Sequence, residues 1–81
     1  MSTPDDTLES FYVHSPVALG QAVRTFRRAR GLTQQQLADA AGINRGYLVA
    51  LENGHVTEQV MRIVTLLRVL GAEIVLQDAE T

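Results

Sequence analysis

The chain has 81 residues, enough for one domain whose small core would gain from association with a partner. Hydrophobic residues make up 46% and charged residues 20%, which places it among folded globular chains rather than disordered ones. It has a net charge of −2 and no cysteine, so disulfides, thiolate metal sites and cysteine nucleophiles are excluded.

The small net charge hides a segregation. All seven basic residues are arginines: Arg24, Arg27, Arg28, Arg30, Arg45, Arg62 and Arg68. Six of the nine acids lie toward the ends, as Asp5, Asp6 and Glu9, then Glu73, Asp78 and Glu80. Between residues 15 and 71, seven arginines face only Asp39, Glu52 and Glu58, a surplus of +4. The basic charge is therefore concentrated where a polyanion would meet it, although an arginine-bearing helical face also serves solubility.

Residues 1–10 are polar and acidic without periodicity, and are expected to form a flexible tail rather than a secretory signal. No stretch approaches the roughly 18 uninterrupted apolar residues of a membrane span, so a cytoplasmic protein without a membrane partner is expected. Phe11–Val13 is a short β-favouring run. Ser15-Pro16 is a helix start, with Ser as N-cap and Pro at the first helical position, and Gly31 ends that helix. Along it Ala18, Leu19, Ala22, Val23, Phe26 and Ala29 form an apolar stripe, with Gln21, Arg24 and Arg28 on the opposite face.

The second helix opens at Thr33. Thr33 and Gln36 have capping-box spacing, and Leu32 and Leu37 have the spacing of a hydrophobic staple. Leu37, Ala38 and Ala41 are expected to face inward before Gly42 ends the helix. Asn44 caps a third helix, Ile43 and Leu48 form its staple, and Asn53-Gly54 stops it. Thr57 caps a fourth helix that runs to Leu70-Gly71. Its Val60, Ile63, Val64, Leu66, Leu67 and Leu70, with Met61 and Val69 beyond them, are more apolar surface than one packed face requires. Ala72–Gln77 has the β-branching and alternation of a strand. A lone strand cannot satisfy its own backbone, so its mate is either Phe11–Val13 or the same strand of a second copy, antiparallel about a two-fold axis. The division expected is a tail (1–10), a helical domain (11–71), and a dimerising strand with a short tail (72–81).

Two short helices joined through Ala41-Gly42 are a helix-turn-helix pattern, the arrangement with which proteins read DNA. The third helix suits the reading role, since Leu48 and Leu51 anchor it while Asn44, Arg45, Gly46, Tyr47 and Ala50 are free to face outward. Arg45 has the chemistry to bond guanine O6 and N7 in a bidentate manner, and Asn44 to bond adenine or phosphate. Gly46 and Ala50 permit close approach, and Tyr47 suits either phosphate contact or packing. His14 and His55 are far apart and have no carboxylate or serine constellation, so no catalytic site, metal or cofactor is expected.

The stretch Gly31-Leu32-Thr33-Gln34-Gln35-Gln36-Leu37-Ala38, then Ala41-Gly42-Ile43, Leu48 and Leu51-Glu52-Asn53-Gly54, resembles the Xre/Cro family of lambda-repressor-like regulators. The resemblance implies a mainly α fold, a four- to five-helix helix-turn-helix domain closed by a short C-terminal β-strand pairing across a dimer. By that resemblance Asn44, Arg45, Gly46 and Ala50 fall on base-reading positions, and Gln34 and the backbone around Asn53 contact DNA phosphate. Beside them, Tyr47 is expected in the reading set, and Thr33, His55 and Arg28 in the phosphate set. Arg27 and Glu52 fall on positions that form a structural ion pair in some relatives. The layout of the ends is similar to HipB-type antitoxins, which dimerise through helix 4 and the C-terminal strand, here Leu66, Val69, Leu70, Ile74, Val75 and Leu76. Such proteins repress their own operon at a palindromic operator and bind a HipA-type kinase toxin. By that resemblance the chain is a non-enzymatic homodimeric repressor in the bacterial cytoplasm, nucleoid-associated when bound to double-stranded DNA.

Overall fold

Side-chain caps set the helix starts in the computed structural model, which describes residues 10–78. The order is β1 (Ser10–Val13), α1 (Pro16–Ala29), α2 (Gln34–Ala41), α3 (Arg45–Glu52), α4 (Glu58–Val69) and β2 (Ile74–Gln77). Ser15, Thr33, Asn44 and Thr57 each accept from backbone N–H groups in the first turn of the helix that follows, where no intrahelical partner exists. At Thr33 the box is complete, because the Gln36 side chain also accepts from the Thr33 N–H at 2.9 Å. The flexible tail expected over residues 1–10 and the end of the chain after residue 78 lie outside the described residues, apart from Ser10, which belongs to β1.

The C-terminal strand finds its mate within the chain. β1 and β2 pair antiparallel with Phe11 opposite Leu76, Tyr12 opposite Val75 and Val13 opposite Ile74. Pairing to a second copy is therefore not what satisfies the inner edge of β2, as the cross-dimer expectation required. Among the described residues, two strands still leave each with one unpaired edge. Alternation sends Phe11, Val13, Ile74 and Leu76 toward α1, where Phe11 meets Phe26 edge-on with ring centroids 5.7 Å apart. Tyr12 and Val75 are the outward pair. Ile74 and Leu76, expected at a dimer interface, are half-buried against their own domain.

The core is small: Val13, Ala22, Ala38, Leu48 and Val64 are the buried apolar residues, joined by the buried pair Arg27 and Glu52. Two inward assignments fail, since Ala29 and Ala41 are exposed. Ala29 shares the face of fully buried Ala22 but is the last residue of α1, where no described element covers it, and α3 packs against the side of α1 that carries Gly20 and Arg27. At Gly20 the two helices nearly touch: a Cβ would fall on the Leu51 carbonyl oxygen and 2.8 Å from that of Glu52. α4 buries only Val64. Ile63, Leu66, Val69 and Leu70 are left exposed, Val69 at 79% and Leu70 at 71%. No described helix is long and apolar enough to cross a membrane.

Candidate nucleic-acid interface

The α2–α3 unit is built by local chemistry at both sides of its turn. Gly42 takes a left-handed conformation (φ 70°), which lets the Ile43 N–H reach back to the Ala38 carbonyl at 3.0 Å and close α2. Asn44 then starts α3, its Oδ1 accepting from Gly46 N at 2.6 Å and Tyr47 N at 3.3 Å. Ala38 and Leu48 hold the two helices by their buried sides. Arg45, Gly46 and Tyr47 are exposed on the other side of α3, and Ala50 is half-buried. Gly46 has a structural reason as well, because a Cβ there would come 2.9 Å from the capping Asn44 oxygen. With that oxygen engaged, Asn44 has only its Nδ2 donors to offer, which suit phosphate or a base acceptor but not the two-way bond to adenine.

One buried carboxylate ties this unit to α1. Arg27 donates to Glu52 from Nε (2.7 Å to Oε2) and Nη2 (3.1 Å to Oε1), and its Nη1 reaches the Leu32 carbonyl at 2.8 Å. Gln34 donates to the same Oε1 at 3.1 Å, and Arg24 approaches it from Nε at 3.5 Å. Arg24 Nη2 also reaches the Glu52 carbonyl at 3.4 Å and Asn53 Oδ1 at 3.2 Å. The Arg27 hydrogen bonds hold the Glu52 carboxyl below the usual glutamate range, outweighing burial, with Gln34 and Arg24 acting in the same direction. The same bonds raise Arg27 above its ordinary value.

Comparison with known proteins agrees with this geometry. Residues 18–79 match the family described as "Helix-turn-helix domain". The chain belongs to the helix-turn-helix family. It is similar to a protein of Sinorhizobium fredii named "Uncharacterized HTH-type transcriptional regulator y4mF", with 34% identity over 62 residues, 76% of this chain and 82% of the relative. It is also similar to an "Uncharacterized HTH-type transcriptional regulator" of Methanothermobacter thermautotrophicus, with 35% identity over 51 residues, 63% of this chain and 74% of that protein. No solved structure matches it.

Within this helix-turn-helix domain the residues suggested for phosphate contact divide in three. Gln34 and Asn53 lie in the Glu52 network, at the start of α2 and the end of α3. Thr33 caps α2 through its Oγ1, which leaves the hydroxyl proton to donate. His55 and Arg28 are exposed and make no side-chain hydrogen bond among the described residues. Sequence reasoning misses Arg24, which it puts on a solvated face opposite the apolar stripe. Its spacing of three from Arg27 is the available signal, since residues three apart share a helix face.

Proposed function

We propose that this chain is a sequence-specific transcriptional repressor that binds a palindromic operator as a homodimer. The observation that carries this reading is α3: anchored by fully buried Leu48, it presents Arg45 from its exposed first turn. Arg45 is the principal base reader, Ala50 and Gly46 allow close approach, and Tyr47 and Asn44 flank them. The printed names of the relatives, both transcriptional regulators, support the same class. A two-fold dimer would set two copies of α3 about 34 Å apart, one turn of DNA.

Gel shifts with the DNA upstream of the protein's own gene test the reading. Arg45→Ala should cut discrimination at one base pair by about 1–3 kcal/mol while leaving binding to unrelated DNA nearly intact. Unchanged affinity and preference would remove Arg45 from the reading set, and no binding by the unsubstituted protein would remove the function. The finer reading is a HipB-like antitoxin that autoregulates its operon and restrains a HipA-type kinase toxin from the bacterial cytoplasm. The exposed apolar side of α4, followed by a closing strand, supports it. Co-expression with the product of the neighbouring gene separates it from a stand-alone Xre-family regulator: the antitoxin rescues growth and co-purifies, the regulator does neither.

A further inference from the structure

We propose that Arg24 is a DNA backbone-phosphate contact, held in position by the buried Glu52 carboxylate and presented together with Gln34 and Asn53. This role rests on the DNA-binding reading and adds to it a cation on α1, outside the helix-turn-helix unit. Two arginines share one carboxylate here, and they share it unequally. Arg27 takes both oxygens at 2.7 and 3.1 Å and spends a further N–H on the Leu32 carbonyl, with its side chain 9% exposed. Arg24 is left with distances of 3.2 to 3.5 Å, at the long end of hydrogen bonding, and its side chain is 37% exposed. Those bonds orient the guanidinium without neutralising it. Two guanidinium groups against one carboxylate leave one positive charge, and it resides on the arginine that meets solvent.

The neighbouring amides are oriented in the same way. Asn53 turns Oδ1 toward Arg24, so its two Nδ2 donors are left for another acceptor. Gln34 uses one Nε2 donor on Glu52 and keeps a second. Nε and Nη2 of Arg24 are turned to Glu52 and Asn53, which leaves Nη1 as the outward donor. A charged N–H flanked by two amide donors is the chemistry of a phosphodiester site. Gln34 opens α2 and Asn53 closes α3, so a phosphate bound here would fix the register of the reading helix without reading sequence. Glu52 does not touch the phosphate in this scheme and is a positioning residue.

The test is fluorescence anisotropy of operator and random-sequence duplexes against salt concentration, for the full chain and its Arg24→Ala, Arg24→Gln and Arg24→Lys variants. Removing the cation that neutralises one phosphate makes the fall of log K with log salt shallower by about 0.9 per protomer, about 1.8 for the dimer, and weakens binding of the dimer to both duplexes about 30-fold near 0.15 M salt. Arg24→Ala and Arg24→Gln should show this, with the ratio of operator to random affinity unchanged; Arg24→Lys should keep the slope of the unsubstituted protein. Arg24→Gln retains a donor for Asn53 and serves if Arg24→Ala unfolds. An unaltered slope in a folded Ala or Gln variant overturns the assignment while the DNA-binding reading stands. A protein that binds neither duplex overturns both.

Discussion

Glu52 is where charge, packing and function meet. Its carboxylate is buried, yet three side chains donate to it, so its ionised form is favoured over the protonated one. A depressed folded pKa gives a stability contribution that is complete above the ordinary glutamate value of about 4.3 and is lost as pH falls below it toward the folded value. Thermal melts from pH 7 to pH 3 should therefore show a steep acid-side loss, and Glu52→Gln should flatten it; an unchanged profile in the variant would place the acid sensitivity elsewhere. Glu52→Ala leaves Arg27 buried and unpaired and should cost about 3–5 kcal/mol, whereas replacing both partners by apolar residues of similar volume should cost far less. The Arg27–Glu52 pair is legible in the sequence because family resemblance marks both positions. Arg24 is not, since a charge opposite an apolar stripe reads as solvated until the tertiary neighbour that receives it is placed.

At the scale of elements, what is legible is local. Ser15, Thr33, Asn44 and Thr57 name their own helix starts, because a cap and the N–H groups it serves lie within three residues. Helix-to-helix packing is not local, and it defeats two expectations. Ala29 and Ala41 continue the apolar pattern of their helices yet stay exposed, because no other described element covers them. Gly20 draws no notice as a residue inside a helix, yet it permits the approach of α1 to the C-terminal end of α3. A methyl group at Gly20 meets backbone rather than a flexible side chain, so the helices must separate. Gly20→Ala should destabilise the domain by about 1–3 kcal/mol despite raising helix propensity. Chemical denaturation checks this, and a neutral or stabilising result would mean that the seam tolerates a shift. Because the same seam carries Glu52 and Asn53, operator affinity should fall with stability in this variant.

The whole molecule has more apolar surface than one copy can bury. Ile63, Leu66 and Leu70 follow one another at helical spacing along α4, with Val69 beside them, and Tyr12 and Val75 stand on the outer side of the sheet. The sequence signals this excess on α4 but offers the whole strand to the partner, because alternation reveals two faces without telling which is inward. With Ile74 and Leu76 turned toward α1, the apolar surface that the proposed dimer can use is the outer side of α4 with Tyr12 and Val75. Deleting β2 would take away the mate of β1 and damage the protomer, so it cannot report on dimerisation alone. Substitutions at exposed positions avoid that difficulty. Leu66→Lys with Val69→Lys removes exposed apolar side chains and sets like charges against each other across a two-fold interface. Sedimentation equilibrium should shift from dimer to monomer with the helical circular dichroism signal retained. Because the two half-sites then bind independently, affinity for a palindromic operator should fall by about 100-fold or more, while binding to a single half-site stays the same. If the doubly substituted protein still sediments as a dimer and holds the operator as before, α4 is not the contact and the free edge of β2 becomes the surface to test.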